Sequence, residues 1–268
     1  MKCLHVADVH YDLLKLDWIV DVAEDVDLIV MAGDHLEISN MVGREAQAVV
    51  IKKYFQRIKK KTKLIVSSGN HDLDAKDEFG EQVCKWITTA SLLGIPSDGD
   101  SVEIEGSLFS VCPWWDGKNA QYDVEEQLAR DATHEAGHWV WVHHAPPDES
   151  PTSWGGKISY GDECLGKWIK KYQPDLVLSG HIHQSPYIND GSWVDRIGKT
   201  WVFNGGHQPG RVPSHVLIDT EDKRAYWKSA YGAETVRLDE PLERPVLPIT
   251  DAPEWVYFMD RAAIPRQG

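Results

Sequence analysis

Short apolar runs alternate with longer stretches that repeat apolar residues at helical spacing through the first half of the chain. Lys2–Val6, residues 27–32 and residues 63–66 are brief and nearly continuous in apolar character, which predicts buried strands. Between them, Leu13, Leu16, Ile19, Val20 and Ala23 predict one amphipathic helix, and Ala46, Val49, Val50, Phe55 and Ile58 a second over residues 44–61. A third helix is expected over residues 77–93. Residues 102–105 and 108–112 read as a hairpin turning at Gly106-Ser107, and residues 123–136 as a helix capped by Asp123. A strand over 139–142, a Pro-, Ser- and Gly-rich loop over 146–156, a helix over 164–172 and a strand over 175–179 follow. The last third is mostly strands, at 193–194, 200–203, 215–219 and 225–231. Beyond about residue 238 the pattern fades into a Pro-rich stretch, so the chain divides into a domain over 1–232 and a C-terminal tail over 233–268 that packs on the core or on a neighbour.

Alternating strands and helices followed by a run of strands predict an α/β chain. Two packed mixed sheets flanked by helices, a four-layer αββα sandwich, satisfy both halves. Polar clusters fall where these strands end: Asp8-Val9-His10, Gly33-Asp34, Gly69-Asn70-His71-Asp72, His143-His144 and Gly180-His181-Ile182-His183. Open α/β sheets bind ligands at the C-terminal ends of their strands.

Composition narrows the partners. A formal net charge of -14 disfavours non-specific binding to nucleic-acid phosphates. The basic run Lys59-Lys60-Lys61 fits a solvated helix end stabilised by the helix dipole. No apolar stretch is long enough to span a bilayer, and the first apolar run is too short for a signal peptide. The four cysteines form no C-x-x-C pair and read as free thiols in a reducing, cytoplasmic setting.

Two aspartates, an asparagine and several histidines at strand ends suggest metal chemistry. Mixed oxygen and imidazole donors suit Mn, Fe, Zn or Ni better than Ca. A carboxylate shared by two cations sets them about 3.5–4 Å apart, the spacing of two-metal hydrolases. Two divalent cations bring four positive charges; Asp8 and Asp34 return two and a bridging hydroxide one, so the site attracts a phosphate within an acidic protein.

In this order and each after a strand, the clusters resemble the signature of the calcineurin-like metallophosphoesterases over roughly residues 1–220, including Asn204-Gly205-Gly206 at a later strand end. The resemblance implies a dinuclear centre, with Mn²⁺ favoured among the transition metals. Asp8, His10, Asp34 and His183 would bind one ion, and Asp34, Asn70, His143 and His181 the other, with His144 the alternative to His143. His71 would be the acid that protonates the leaving group after attack by a metal-bridging hydroxide, and Glu37 would orient it. G-N-H-D is frequent among the family's phosphodiesterases, so the implied function is hydrolysis of a phosphodiester in a small or nucleotide-like substrate. The alternatives are a phosphomonoesterase, a nuclease acting on nucleic-acid ends and a non-catalytic scaffold; the intact donor set argues against the scaffold. Nucleic acid is not the favoured partner, no membrane is expected, and a homo-oligomer is compatible with the sequence. His207, Arg211, Trp114 and Trp115 are candidates to contact substrate. His5 and His35 read as structural, and His134 and His138 as solvated.

Overall fold

The computed structural model describes residues 1–261. The chain opens with β1 (Lys2–Val6), α1 (Leu13–Val22), β2 (Leu28–Ala32), α2 (Arg44–Lys59) and β3 (Lys63–Ser67). A small hairpin, β4 (Ala75–Lys76) and β5 (Gln82–Val83), leads into the one-turn α3 (Lys85–Thr88). Next come β6 (Ser101–Ile104), β7 (Ser107–Val111), α4 (Lys118–Asp131), β8 (His138–Val142), α5 (Glu163–Tyr172) and β9 (Leu176–Ser179). The chain continues through β10 (Val194–Ile197), β11 (Thr200–Asn204), β12 (His215–Asp219), β13 (Arg224–Ser229), β14 (Gly232–Arg237), β15 (Leu247–Pro248) and α6 (Glu254–Arg261).

These strands form a seven-stranded sheet in the order β15-β14-β13-β12-β1-β2-β3 and a six-stranded sheet in the order β10-β11-β9-β8-β7-β6. In the first, β1, β2 and β3 run parallel; in the second, β7, β8, β9 and β11 do. Period-two alternation distributes the apolar side chains between layers. Leu28 and Val30 of β2 face the space between the sheets, where they join Val140, Val142, Leu176 and Leu178, while Ile29 and Met31 face α1 and α2. Trp141, Val177 and Val202 turn the other way, towards α4 and α5. The fold is therefore the expected pair of mixed sheets between helices.

Several elements depart from expectation. Residues 77–93 form the turn after β4, then β5 and α3, rather than one helix, because Asp77 Oδ1 accepts from the Phe79 and Glu81 amides and Gly80 takes φ +84°. The α4 helix starts at Lys118 with Gly117 as its cap, five residues ahead of Asp123. On α2, Ala46 and Val49 are exposed and Gln47, Ala48 and Ile51 are buried instead. Gln47 is tied inward by bonds to Glu37 and Val42. The β6–β7 turn falls at Glu105-Gly106, both at positive φ, one residue before the expected position. Of the stretch read as a tail, residues 233–261 supply β14, β15 and α6, and β14 pairs with β13 along its length. The remaining residues, 262–268, lie outside the described ones.

Candidate metal centre

The parallel strands β1, β2, β3, β8 and β9 deliver the five polar clusters to one edge of the sandwich. Tight local backbone makes the convergence possible. Asp8, His10, Asp34 and His181 all take positive φ, a left-handed conformation that is uncommon outside glycine and concentrates at functional sites. Two glycines permit contact without side chains. A Cβ on Gly69 would overlap the Asp34 carboxylate and the His144 ring, and one on Gly180 would overlap Ala7 and the Asp8 carboxylate. Asp72 ties two loops together: its buried carboxylate accepts from the amides of His35, Leu36 and Gly69, all between 2.9 and 3.2 Å.

Three overlapping groups of donors result: Asp8, His10, Asp34 and His183; Asp34, His144 and His181; and His10, Glu37 and His71. Asp34 belongs to the first two. His183 Nε2 lies 3.1 Å from both Asp8 Oδ1 and His10 Nε2, and His10 Nε2 lies 3.8 Å from both aspartates. On the other side His144 Nε2 sits 3.2 Å from Asp34 Oδ2. The His144 Nδ1 donates to Ala32 O at 2.7 Å, which leaves Nε2 as the free donor atom of the ring. Backbone amides hold the carboxylates in place: His181 N donates to Asp8 Oδ2 at 3.0 Å and His71 N to Asp34 Oδ1 at 2.9 Å. Asn70 Oδ1 is buried with no hydrogen-bond partner among the described residues. Ring nitrogens and carboxylates that crowd common points, together with an orphaned amide oxygen, fit a pair of divalent cations.

The electrostatics follow from burial and mutual proximity. Burial would raise the Asp8 and Asp34 carboxyls, but the His144 imidazole beside them, joined at Asp8 by His10 and His183, holds both below the usual range. Burial pushes His144 down, yet Asp34 and Asp8 outweigh it and raise it to about 9. His181 is lowered to about 4, by burial first and then by His144.

Sequence-predicted residues divide as follows. Asp8, His10, Asp34, His181 and His183 come together, with Asn70 in the turn between Gly69 and His71. His143 does not join them. Its ring lies flat on Trp115, centroids 3.9 Å apart and planes 6° from parallel, and it is His144 that reaches the carboxylates. The reason is strand geometry: consecutive residues at the end of β8 point to opposite sides. His71 Nδ1 is 3.8 Å from Glu37 Oε1, beyond hydrogen-bond length, whereas Glu37 Oε2 is 3.2 Å from His10 Nδ1. Glu37 thus touches His10 more closely than the residue it was expected to orient. His207 stands at the rim, 4.8 Å from His183 and 5.5 Å from His10 between ring centroids. Arg211 is engaged with Asp21 at 2.9 Å, on α1, and does not reach the cluster. Trp114 stands beside His181 at 5.0 Å, while Trp115 is buried. His5 and His35 bond buried carbonyls at Ser179 and Ser67, and the exposed His134 meets Glu103. Two residues escaped the sequence reading. Asp72 stands in G-N-H-D with no chemistry of its own to mark it. Lys15 is buried on α1 with Nζ 2.6 Å from His207 Nε2, and its only signal is an i, i+4 relation to the apolar Ile19.

Comparison with known proteins agrees with this geometry. The profile of the calcineurin-like phosphoesterases matches residues 1–185. Among solved structures, TT1561 of Thermus thermophilus is similar at a TM-score of 0.56 and 16% identity, covering 88% of this chain and 98% of that one. The purple acid phosphatase PPD1 from yellow lupin (Lupinus luteus) seeds is similar at 0.54 and 13%, covering 92% of this chain and 52% of that one. At these identities the likeness is one of fold. No curated protein matches the sequence. Among the described residues no helix is long and apolar enough to cross a membrane.

Proposed function

Because the chain belongs to the calcineurin-like phosphoesterase family, whose members hydrolyse phosphoric esters with a dinuclear metal centre, we propose that it is a phosphodiesterase acting on a small or nucleotide-like substrate. The observation that carries this reading is Asp34, a buried carboxylate common to two donor groups. In the proposed centre Asp8, His10, Asp34 and His183 hold one ion, and Asp34, Asn70, His144 and His181 the other. Two bound cations, with Mn²⁺ favoured, would supply positive charge to the phosphoryl oxygens and lower the pKa of water towards neutrality.

The chain's own residues do the rest. His71 keeps part of its ring open to solvent, lies in contact with His10 at 4.7 Å between centroids, and is the proton donor to the leaving oxygen. Glu37 is pinned by Ser39 and fixes His10, with His71 on its other carboxylate oxygen. Preference for a diester is supported by the engagement of two cations near the cluster: Arg211 is held by Asp21 and Lys15 is buried against His207, so neither of these two is free for the second charge of a monoester dianion. Cytoplasmic location fits the thiols, all of them free.

The test is hydrolysis of bis(p-nitrophenyl) phosphate beside p-nitrophenyl phosphate after chelation and Mn²⁺ restoration. The diester should be cleaved faster, and His71→Ala should lower its turnover about 10²–10⁴-fold while the ions stay bound. Faster monoester cleavage would turn the reading to a phosphomonoesterase, and full activity of His71→Ala would remove its assigned role.

A further inference from the structure

A cavity of about 380 Å³ is lined by Trp114 and His143, and Trp114 also stands beside His144 and His181 of the cluster. The cavity lies within the size range of small-ligand sites. Its walls include Trp114, Trp115, His143, Lys118 and Gln121. The two tryptophans differ in what they have left to offer. Trp115 is buried, stacked on His143 across one face, set edge-to-face with Trp168, and bonded through Nε1 to Asp162 at 2.8 Å. Trp114 is only half-buried; its ring runs nearly parallel to His143 at the longer distance of 6.2 Å and lies 5.0 Å from His181 and 5.7 Å from His144.

Trp114 is held there by its backbone. Its amide donates to Ser68 Oγ at 3.0 Å, one residue before the Gly69-Asn70-His71-Asp72 turn, and the Ser68 amide donates to Asp98 Oδ1 at 2.8 Å. The aromatic wall and the donor cluster are thus built on the same loops. Across the cavity, neither the Gln121 carboxamide nor the Lys118 ammonium has a hydrogen-bond or ion-pair partner among the described residues. A carboxamide offers a donor and an acceptor side by side, which matches the edge of a nucleobase; a half-open indole offers a surface for its face.

We propose that this cavity is the subsite for a nucleobase carried by the phosphoester, stacked on Trp114 and read at its edge by Gln121. The proposal rests on the phosphoesterase reading of the adjoining cluster and names the class of its substrate as nucleotide esters. A sugar phosphate without a base would leave the cavity to water and lose the stacking contact.

The experiment is calorimetric titration of the Mn²⁺-loaded protein with 5′-AMP and, separately, with ribose 5-phosphate, which share phosphate and ribose and differ in the base. The 5′-AMP should bind at least tenfold more tightly, the increment expected of one stacked base. Trp114→Ala should bring the ratio of the two affinities to near one, Trp114→Phe should keep most of it, and Gln121→Ala should reduce it severalfold. Equal affinities in the parent protein, or a ratio that survives Trp114→Ala, would overturn the subsite. Binding of neither phosphate by Mn²⁺-loaded protein that still cleaves bis(p-nitrophenyl) phosphate would likewise overturn the subsite, whereas loss of that cleavage as well would strike the phosphoesterase reading itself.

Discussion

His143 and His144 are neighbours in the chain and do different work, because an extended backbone sends them to opposite sides. His143 stacks on Trp115; His144 bonds Ala32 O through Nδ1 and turns Nε2 to Asp34. His144→Gln should therefore weaken Mn²⁺ binding at one site by at least tenfold, whereas His143→Gln should retain both ions, as titration calorimetry of the chelated protein will report. The reverse pattern would return the ligand role to His143. The His-His pair is legible in the sequence, but its facing is not. That is decided by the pairing at the ends of β8 and β9, where His143 N bonds Leu178 O and Gly180 N bonds His144 O. Lys15 is hidden for a similar reason. An ammonium on an apolar helix face has meaning only once His207, 192 residues away, is known to stand over it.

At the scale of elements, the strands and their polar ends follow the hydrophobic pattern closely, since each buried strand must alternate between two filled layers. The helices are less faithful. Glu81 accepts from the Asn119 and Ala120 amides and thereby caps α4 from a distant loop, a partner that no local cap signal reveals. Asp98 is another long-range fastener, holding Ser68 and through it Trp114. Burial raises its carboxyl to about 7. An unfolded aspartate ionises near 3.9, so between about pH 4 and 7 the native protein holds a proton that the unfolded chain has lost, and stability falls as pH rises through that window. Asp98→Asn removes this titration and leaves the Ser68 acceptor in place. The melting temperature of the metal-free variant, relative to the parent, should rise from pH 4 to 7 and level off above it; a difference independent of pH would contradict the assignment.

For the molecule as a whole, the segment after β13 belongs to the sandwich. Its apolar periodicity is too brief to be read locally, since β15 has two residues and α6 eight. Trp255 and Val256 are buried beside Tyr226 and close the helical face of the seven-stranded sheet. Trp255→Ala should lower stability by about 3 kcal/mol, read as a lower urea midpoint, and an unchanged midpoint would show that α6 adds nothing to the core. The net charge of -14 repels long polyanions, while the donor cluster, once loaded with cations, would draw a single phosphate, as the proposed small substrate requires. All of this depends on Asp34 being shared by two ions. The direct measurement is the number of Mn²⁺ ions bound per chain, by equilibrium dialysis and elemental analysis, for the parent and Asp34→Asn, with cleavage of bis(p-nitrophenyl) phosphate followed on the same samples. Two ions in the parent, fewer in the variant and turnover that grows with the second ion are the predicted results. A parent that binds one ion or none, or that cleaves the diester equally well after chelation, would contradict the dinuclear centre.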